Sequence, residues 1–436
     1  MRDVPRIAIS GEKFIFFLTT KVKCLYYHTD ISFVERSGEF LSSSSAQLPQ
    51  VASTVALIYN VKAETPSPLP FASNLDSHPI SEPPRRPGEV GRTLTISIPE
   101  SSDRANDVYA EWDTMETVNA VRMAIEERYP VIMIEANEHA YQKLLQNRAS
   151  FAFNISEGLY GVSREAQIPS ILEMLRIRYL GSDPLTLSVC LDKSRTKEIL
   201  SYHGVPTAPF AVSRSMEDFE DARVKFPAIV KPLHEGSSKG IYDSCVVRNT
   251  QDLEREVRIV LTTYNQPAIV EEFLAGREFT VALMGNGSSV RTLPIVEISF
   301  DALPPGVNPV YSYEAKWIWD QSDKPLEIYH CPADLNKTLQ DEIGTICKDA
   351  YRVLNCRDWS RIDVRCDASG KPHILEVNPL PGILPRPEDN SCFPKAARAA
   401  GLSYNQLINS VLDIAMERCG LSMVPRTNLV QSSVLS

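Results

Sequence analysis

Three short apolar runs set the terms on which this chain can fold: Val55–Tyr59, Val131–Ile134 and Phe151–Ile155. Each is too short for a buried helix and has no polar alternation, as expected of strands in a parallel sheet covered on both faces. Before the second run, Thr114 or Asp113 caps a predicted helix whose apolar positions are Val118, Val121, Met123 and Ile125. Strand, helix, strand is the grammar of an open parallel sheet. The third run leads into the loop Ser156–Gly161 and a helix predicted over Gln167–Leu175, closing an N-terminal α/β domain over residues 53–185. Ahead of it, residues 1–52 carry little periodicity and read as an extension. Within it, residues 65–107 hold Pro66, Pro68, Pro70, Pro79, Pro83, Pro84 and Pro87, a density that blocks helix and interior strand and predicts a long inserted loop.

From Asp192 the pattern changes. A helix is predicted over Lys193–His203, followed by strands at Ala228–Lys231, Ala268–Phe273, Phe279–Met284, Thr292–Ile298, Ser360–Cys366 and Ile374–Val377. This second domain, residues 186–420, reads as largely antiparallel with few helices, before a tail at 421–436. The fold class is α/β (α+β), with no internal repeat.

At 436 residues the chain has room for roughly two to four units of about 100–200 residues. A net charge of −10 argues against nucleic acid or an anionic membrane as partner, since both demand a basic footprint. The apolar stretch Phe14–Leu18 is too short to span a bilayer, so the chain reads as cytoplasmic. Nine cysteines are scattered without a C-x-x-C pair, and buried free thiols are expected.

Four segments carry chemistry. Val230–Gly240 is a strand end followed by a small-residue loop, where Lys231, Lys239, Ser237, Ser238 and successive backbone N–H groups suit a polyphosphate; alone, such a loop is also an ordinary turn. In Arg361-Ile362-Asp363-Val364-Arg365 and Glu376-Val377-Asn378 the period of a strand puts Arg361, Asp363 and Arg365 on one face, with Glu376 and Asn378 able to face them from a neighbour. Two carboxylates and an amide suit a hard cation such as Mg²⁺, with Mn²⁺ as the alternative; an ion-pair ladder on a solvated sheet is the competing reading. The turn Leu380-Pro381-Gly382 favours a cleft. Glu271–Phe279 offers carboxylates and apolar groups to a nucleoside, and Tyr311–Trp317 is a loop whose Lys316 can reach a transferring phosphate.

In this order, and joined by Gly181–Leu185 and Leu191–Lys197, these segments resemble the D-alanine–D-alanine ligase branch of the ATP-grasp superfamily over roughly residues 54–418. The resemblance implies an ATP-grasp fold, in which an N-terminal α/β domain precedes two mainly antiparallel subdomains that clamp ATP. It implies that Lys193 and Lys231 hold the ATP phosphates and that the loop with Glu235, Ser237 and Ser238 closes over them. Glu271, Phe273, Leu274 and Glu278 would receive adenine and ribose, and Asp363, Glu376 and Asn378 would hold Mg²⁺. Arg361 and the backbone at Gly382 would stabilise the transition state, with Lys316 at the γ-phosphate. The implied reaction joins a small amino-acid-like carboxylate to an amine through an acyl phosphate, and the implied assembly is a homodimer.

The substrate half departs from that family. Trp317 stands where a tyrosine is usual, although Ser237 fits that tyrosine's serine partner. The N-terminal glutamate is Glu111 in preference to Glu64. A loop histidine after the third strand is absent, with Arg164 and Glu165 placed to take over that wall. The run after Gly382 is longer, making Ser391 the candidate for the second substrate's carboxylate, with Arg386 as a further anion contact. These departures suggest substrates other than two D-alanines, and the long N-terminal extension with the Pro-rich insertion suggests a specialised biosynthetic pathway. Three readings compete: a D-alanine–D-alanine ligase of cell-wall synthesis, a non-catalytic ATP-binding protein, and a metal-dependent hydrolase. The last is disfavoured because the seven histidines show no ligand spacing.

Overall fold

The structure is a computed structural model describing residues 53–62, 111–221, 225–319 and 326–422, apart from the side chains of residues 220–221 and 317–319. The extension 1–52, the insertion 65–107, Glu64 and the tail beyond residue 422 lie outside the described residues.

Strand β1 (Val55–Tyr59) lies between β2 (Val131–Glu135) and β3 (Phe151–Asn154), with β4 (Arg178–Tyr179) beyond β3, all parallel. Val55, Ala56, Leu57 and Ile58 are fully buried, as an uninterrupted apolar strand requires. Helices α1 (Met115–Glu126), α2 (Ala140–Gln146) and α3 (Gln167–Leu175) accompany this sheet. Thr114, not Asp113, caps α1, its side chain accepting from the Thr117 N–H. Met123 is not on the apolar face: it is 60% exposed, and Ala124 takes its place beside Val118, Val121 and Ile125. Five residues from Val118 is about 140° around a helix, off the buried stripe.

Helix α4 (Pro184–Leu191) starts at an Asp183 cap, and α5 (Lys193–Tyr202) at Asp192, whose carboxylate accepts from the Ser194 and Arg195 N–H groups. Strands β5 (Phe210–Ser213), β6 (Ala228–Pro232), β7 (Val246–Val247) and, after α6 (Thr250–Thr263), β8 (Ala268–Glu272) form an antiparallel sheet ordered β5-β8-β6-β7. A third, antiparallel sheet contains β9 (Glu278–Met284), β10 (Arg291–Thr292), β11 (Val296–Ile298), β12 (Tyr329–His330), β13 (Trp359–Cys366) and β14 (Pro372–Asn378). Its order is β12-β11-β9-β13-β14, with β10 also on β9. The strand predicted over Thr292–Ile298 is therefore two strands, because Pro294 between them has no N–H for the ladder.

The expectation of few helices after residue 186 is overturned. Besides α6, the chain forms α7 (Lys337–Val353), α8 (Cys392–Ala399) and α9 (Tyr404–Arg418). In α7, Ile343, Cys347, Ala350 and Tyr351 make a buried stripe at helical spacing inside a charged sequence. Helices α8 and α9 pack under the N-terminal sheet: Leu57 and Phe153 share one apolar cluster with Trp359, Phe393, Val411 and Met416. The Trp359 ring meets Phe153 at 5.9 Å and Phe393 at 5.6 Å, both edge to face. Asn409 on α9 donates to the Ala124 carbonyl of α1 at 2.8 Å. The proposed boundary at 185/186 thus divides the chain but not this core. All eight described cysteines are free thiols, and no helix among the described residues is long and apolar enough to cross a membrane.

Candidate active site

A cavity of about 300 Å³ is lined by residues from the first sheet's loops, from both antiparallel sheets, and from the turns after β6 and β14. A separate groove of about 600 Å³ along α7, lined by Thr292, Gln340 and Lys348, contains none of the candidate residues.

The register of β13 and β14 sets Arg361 opposite Asn378 and Asp363 opposite Glu376. A bulge then leaves Leu375 unpaired before Ile374 meets Val364, so Leu375 and Glu376 both line the cavity while Ile374 stays in the core. Arg361 donates to Asp363 at 2.8 and 3.1 Å and to Glu376 at 3.4 Å. The Asn378 amide lies 3.3 Å from both carboxylates. Burial pushes the Asp363 carboxyl up, against the pull of Arg361. Burial also acts on Glu376, but the Lys193 and Arg361 charges outweigh it and hold that carboxyl down at about 2. Two carboxylates and an amide converging on the cavity fit a hard divalent cation.

Two lysines reach the same space. Lys193 donates to the Glu235 carbonyl and lies 3.9 Å from Glu376. Lys231 pairs with Glu271 at 2.8 Å, and the other Glu271 oxygen lies 3.4 Å from Lys197. Glu271, expected at adenine or ribose, lines the cavity with Phe273 and Leu274; it is 1% exposed, pairs with Lys231 through one carboxylate oxygen and lies 3.4 Å from Lys197 through the other. Lys197, also 1% exposed and bonded to Thr207 at 2.9 Å, escaped the sequence reading because a lysine within a charged helix start looks solvated. Glu278 and Leu375 line the same cavity.

The loop after β6 is pinned by polar contacts, most of them to residues outside it. The Glu235 carboxylate accepts from Gln266 at 2.7 Å, and lies 3.1 Å from Lys239 and 3.3 Å from Arg164. Ser237 and Ser238 both adopt positive φ, and the Ser238 hydroxyl donates to the Tyr311 carbonyl at 2.8 Å. Gly240 also has positive φ, and a Cβ there would sit 2.4 Å from Pro232, so glycine is required. Lys316, in a short π-helix over Glu314–Trp319, lines the cavity, where burial and then Arg361 lower its pKa to about 8. The Trp317 side chain is outside what the structure describes.

Glu111 does reach the cavity: it accepts from Arg164 at 2.8 and 3.0 Å and from the Gly236 N–H at 2.6 Å. Glu165 lies beside it with its carboxyl pushed up to about 7 by burial and then by Glu111. Ser391 lines the cavity, its hydroxyl accepting from the Leu384 N–H at 3.2 Å and donating to the Gly382 carbonyl at 3.3 Å, which closes the turn that carries Gly382. One placement differs from expectation. Arg386 pairs with Glu116 at the start of α1 and is not among the cavity-lining residues, since the longer run after Gly382 carries it outward.

Burial raises the Asp113 carboxyl to about 7, with Lys62 opposing. A group whose pKa is raised by folding contributes stability below its unfolded value that is lost as pH rises through the folded one. Asp113→Asn should therefore gain on the wild type by an amount on the order of 2 kcal/mol between pH 4 and pH 8. Urea unfolding of both proteins across that range checks it, and a constant difference would contradict it.

The chain matches the family model "D-ala D-ala ligase C-terminus" over residues 199–413. It is 33% identical to a D-alanine–D-alanine ligase of Bordetella petrii over 65% of this chain and 81% of that one. With the D-alanine–D-alanine ligase of Pelotomaculum thermopropionicum the identity is 31% over 71% and 93%. An uncharacterized protein, y4sG, of Sinorhizobium fredii is 37% identical over 63% and 77%. Among solved structures, the D-alanine–D-alanine ligase of Bacillus anthracis complexed with ATP superposes with a TM-score of 0.56 at 22% identity, covering 84% of this chain and 98% of that one. The fold is that of an ATP-grasp protein, one parallel α/β layer followed by two antiparallel sheets. The chain belongs to the D-alanine–D-alanine ligase family, whose members are ATP-dependent ligases forming C–N bonds.

Proposed function

We propose that this protein uses ATP and Mg²⁺ to join a small amino-acid-like carboxylate to the amine of a second such substrate. The observation that carries this reading is the convergence of Lys193, Lys231, Arg361, Asp363, Glu376 and Asn378 on one cavity. Phosphoryl transfer depends on positioning and on neutralising charge as it spreads, more than on a covalent nucleophile. Lys193 and Lys231 hold the phosphates from two sides, and the loop Glu235–Gly240 excludes water above them. The substrate carboxylate attacks the γ-phosphorus and ADP leaves; the amine nitrogen then attacks the acyl carbon, phosphate leaves, and the amine gives up a proton. Arg361 and the backbone at Gly382 meet the charge that develops, and Lys316 approaches the γ-phosphate. Mg²⁺ held by Asp363, Glu376 and Asn378 would neutralise phosphate charge.

The identity of the two substrates separates two readings. A cell-wall ligase acting on two D-alanines fits the names of the relatives at least as well as a ligase of a specialised pathway. Glu165 beside Glu111, on the wall where the family has a loop histidine, supports substrates other than two D-alanines. Phosphate release from ATP and Mg²⁺ with D- and L-amino acids, singly and in pairs, tests both, with Asp363→Ala as control. Release requiring one pair and lost in the variant is the expected result. Nucleotide binding without release for any pair would leave a non-catalytic protein or an acid substrate outside the panel.

A further inference from the structure

Arg365 belongs to none of the roles assigned above, yet it is among the most engaged side chains of the cavity wall. It is 4% exposed at the far end of β13, in register with Glu278 on β9. Its Nη1 donates to Glu278 at 2.8 Å and its Nη2 to the Pro309 carbonyl at 2.8 Å. The guanidinium lies 4.7 Å from the Phe273 ring centre and 5.2 Å from that of Phe300. Its Nε–H is buried without a partner among the described residues. A buried cation with one donor unspent is a poor device for stability, since an apolar side chain of similar length would avoid both desolvation costs. What it supplies instead is a fixed connection. Phe273 and Glu278 line the nucleoside end of the cavity, while Phe300 and Pro309 belong to the segment that runs into the Lys316 helix.

We propose that Arg365 is a positioning residue that couples the nucleoside pocket to the segment carrying Lys316, so that a bound nucleotide fixes that segment. The inference rests on the ligase reading. The planar fork fixes the Glu278 carboxylate and the Pro309 carbonyl together, and its faces hold the two phenyl rings, which a lysine or a methionine cannot do at once.

The test is equilibrium binding of a non-hydrolysable ATP analogue with Mg²⁺, together with amide hydrogen exchange over residues 299–312. In the wild type the analogue is expected to slow exchange in that segment. Arg365→Met should weaken analogue binding about tenfold to hundredfold, leave the KM of the acid substrate within about twofold, and abolish the slowing even at saturation. Arg365→Lys should recover part of the affinity but not the slowing. Should Arg365→Met fail to fold, Phe300→Leu carries the same test, with exchange over 299–312 no longer responding to the analogue. Unchanged affinity and undiminished slowing in a folded variant would overturn the role of Arg365 alone. A wild type that binds no adenine nucleotide would overturn the ligase reading and this inference with it.

Discussion

Arg361→Met should lower the rate of phosphate release about a thousandfold while changing affinity for a non-hydrolysable ATP analogue by less than about tenfold. On the proposed reading the guanidinium would not be needed to anchor a nucleotide, because Lys193 and Lys231 reach the cavity from α5 and β6. Its place against Asp363 and Glu376, near Lys316, whose pKa burial and then the Arg361 charge lower, puts it where transferred charge would accumulate. Removing a cation that acts only on the transition state costs rate and spares binding. Stopped-flow or coupled phosphate assays with the active substrate pair measure the first quantity, and analogue titration the second. A loss of rate below tenfold would remove Arg361 from the chemistry; a parallel loss of binding would make it a nucleotide anchor instead.

Trp359→Ala should destabilise the protein by about 3–5 kcal/mol, the cost of emptying a large buried aromatic site. The residue is fully buried, and its ring joins Phe153 of the parallel sheet to Phe393 of α8. Its indole N–H has no partner among the described residues, so no hydrogen bond is lost to offset the interpretation. Because that cluster spans both halves of the chain, urea unfolding of the variant should remain a single transition shifted to lower denaturant. Two separated transitions would mean that residues 53–185 fold on a core of their own.

The parallel strands were legible because being buried on both faces leaves no room for polar alternation, and Val55–Ile58 shows none. The hairpin carrying Arg361, Asp363, Glu376 and Asn378 was legible because a strand's period alone puts those side chains on one face. Helices α6 and α7 were not, since a stripe such as Leu253, Val257 and Val260 is diluted by charged neighbours, and its partner strands are remote in sequence. Ion-pair geometry was legible least of all. Nothing in the spacing of Lys197, Lys231 and Glu271 says that one carboxylate serves both lysines, and nothing in Arg365 says that its partner is Glu278 in preference to Asp363 or Asp367. Arg386 failed for a related reason: the length of its loop is visible in the sequence, but its outward course is not.

The bulge opposite Asp363 ties the composition of the β13–β14 hairpin to its length. It places an apolar side chain, Leu375, and a carboxylate, Glu376, consecutively on the cavity face, and restores Ile374 to the core one step later. In an unbulged ladder that face would receive one of them. The exposed turn between the strands looks free to gain or lose a residue, as surface turns usually are, but any change that erased the bulge would turn the outer half of β14 over. Substitutions in that turn should therefore be tolerated far more readily than changes in its length.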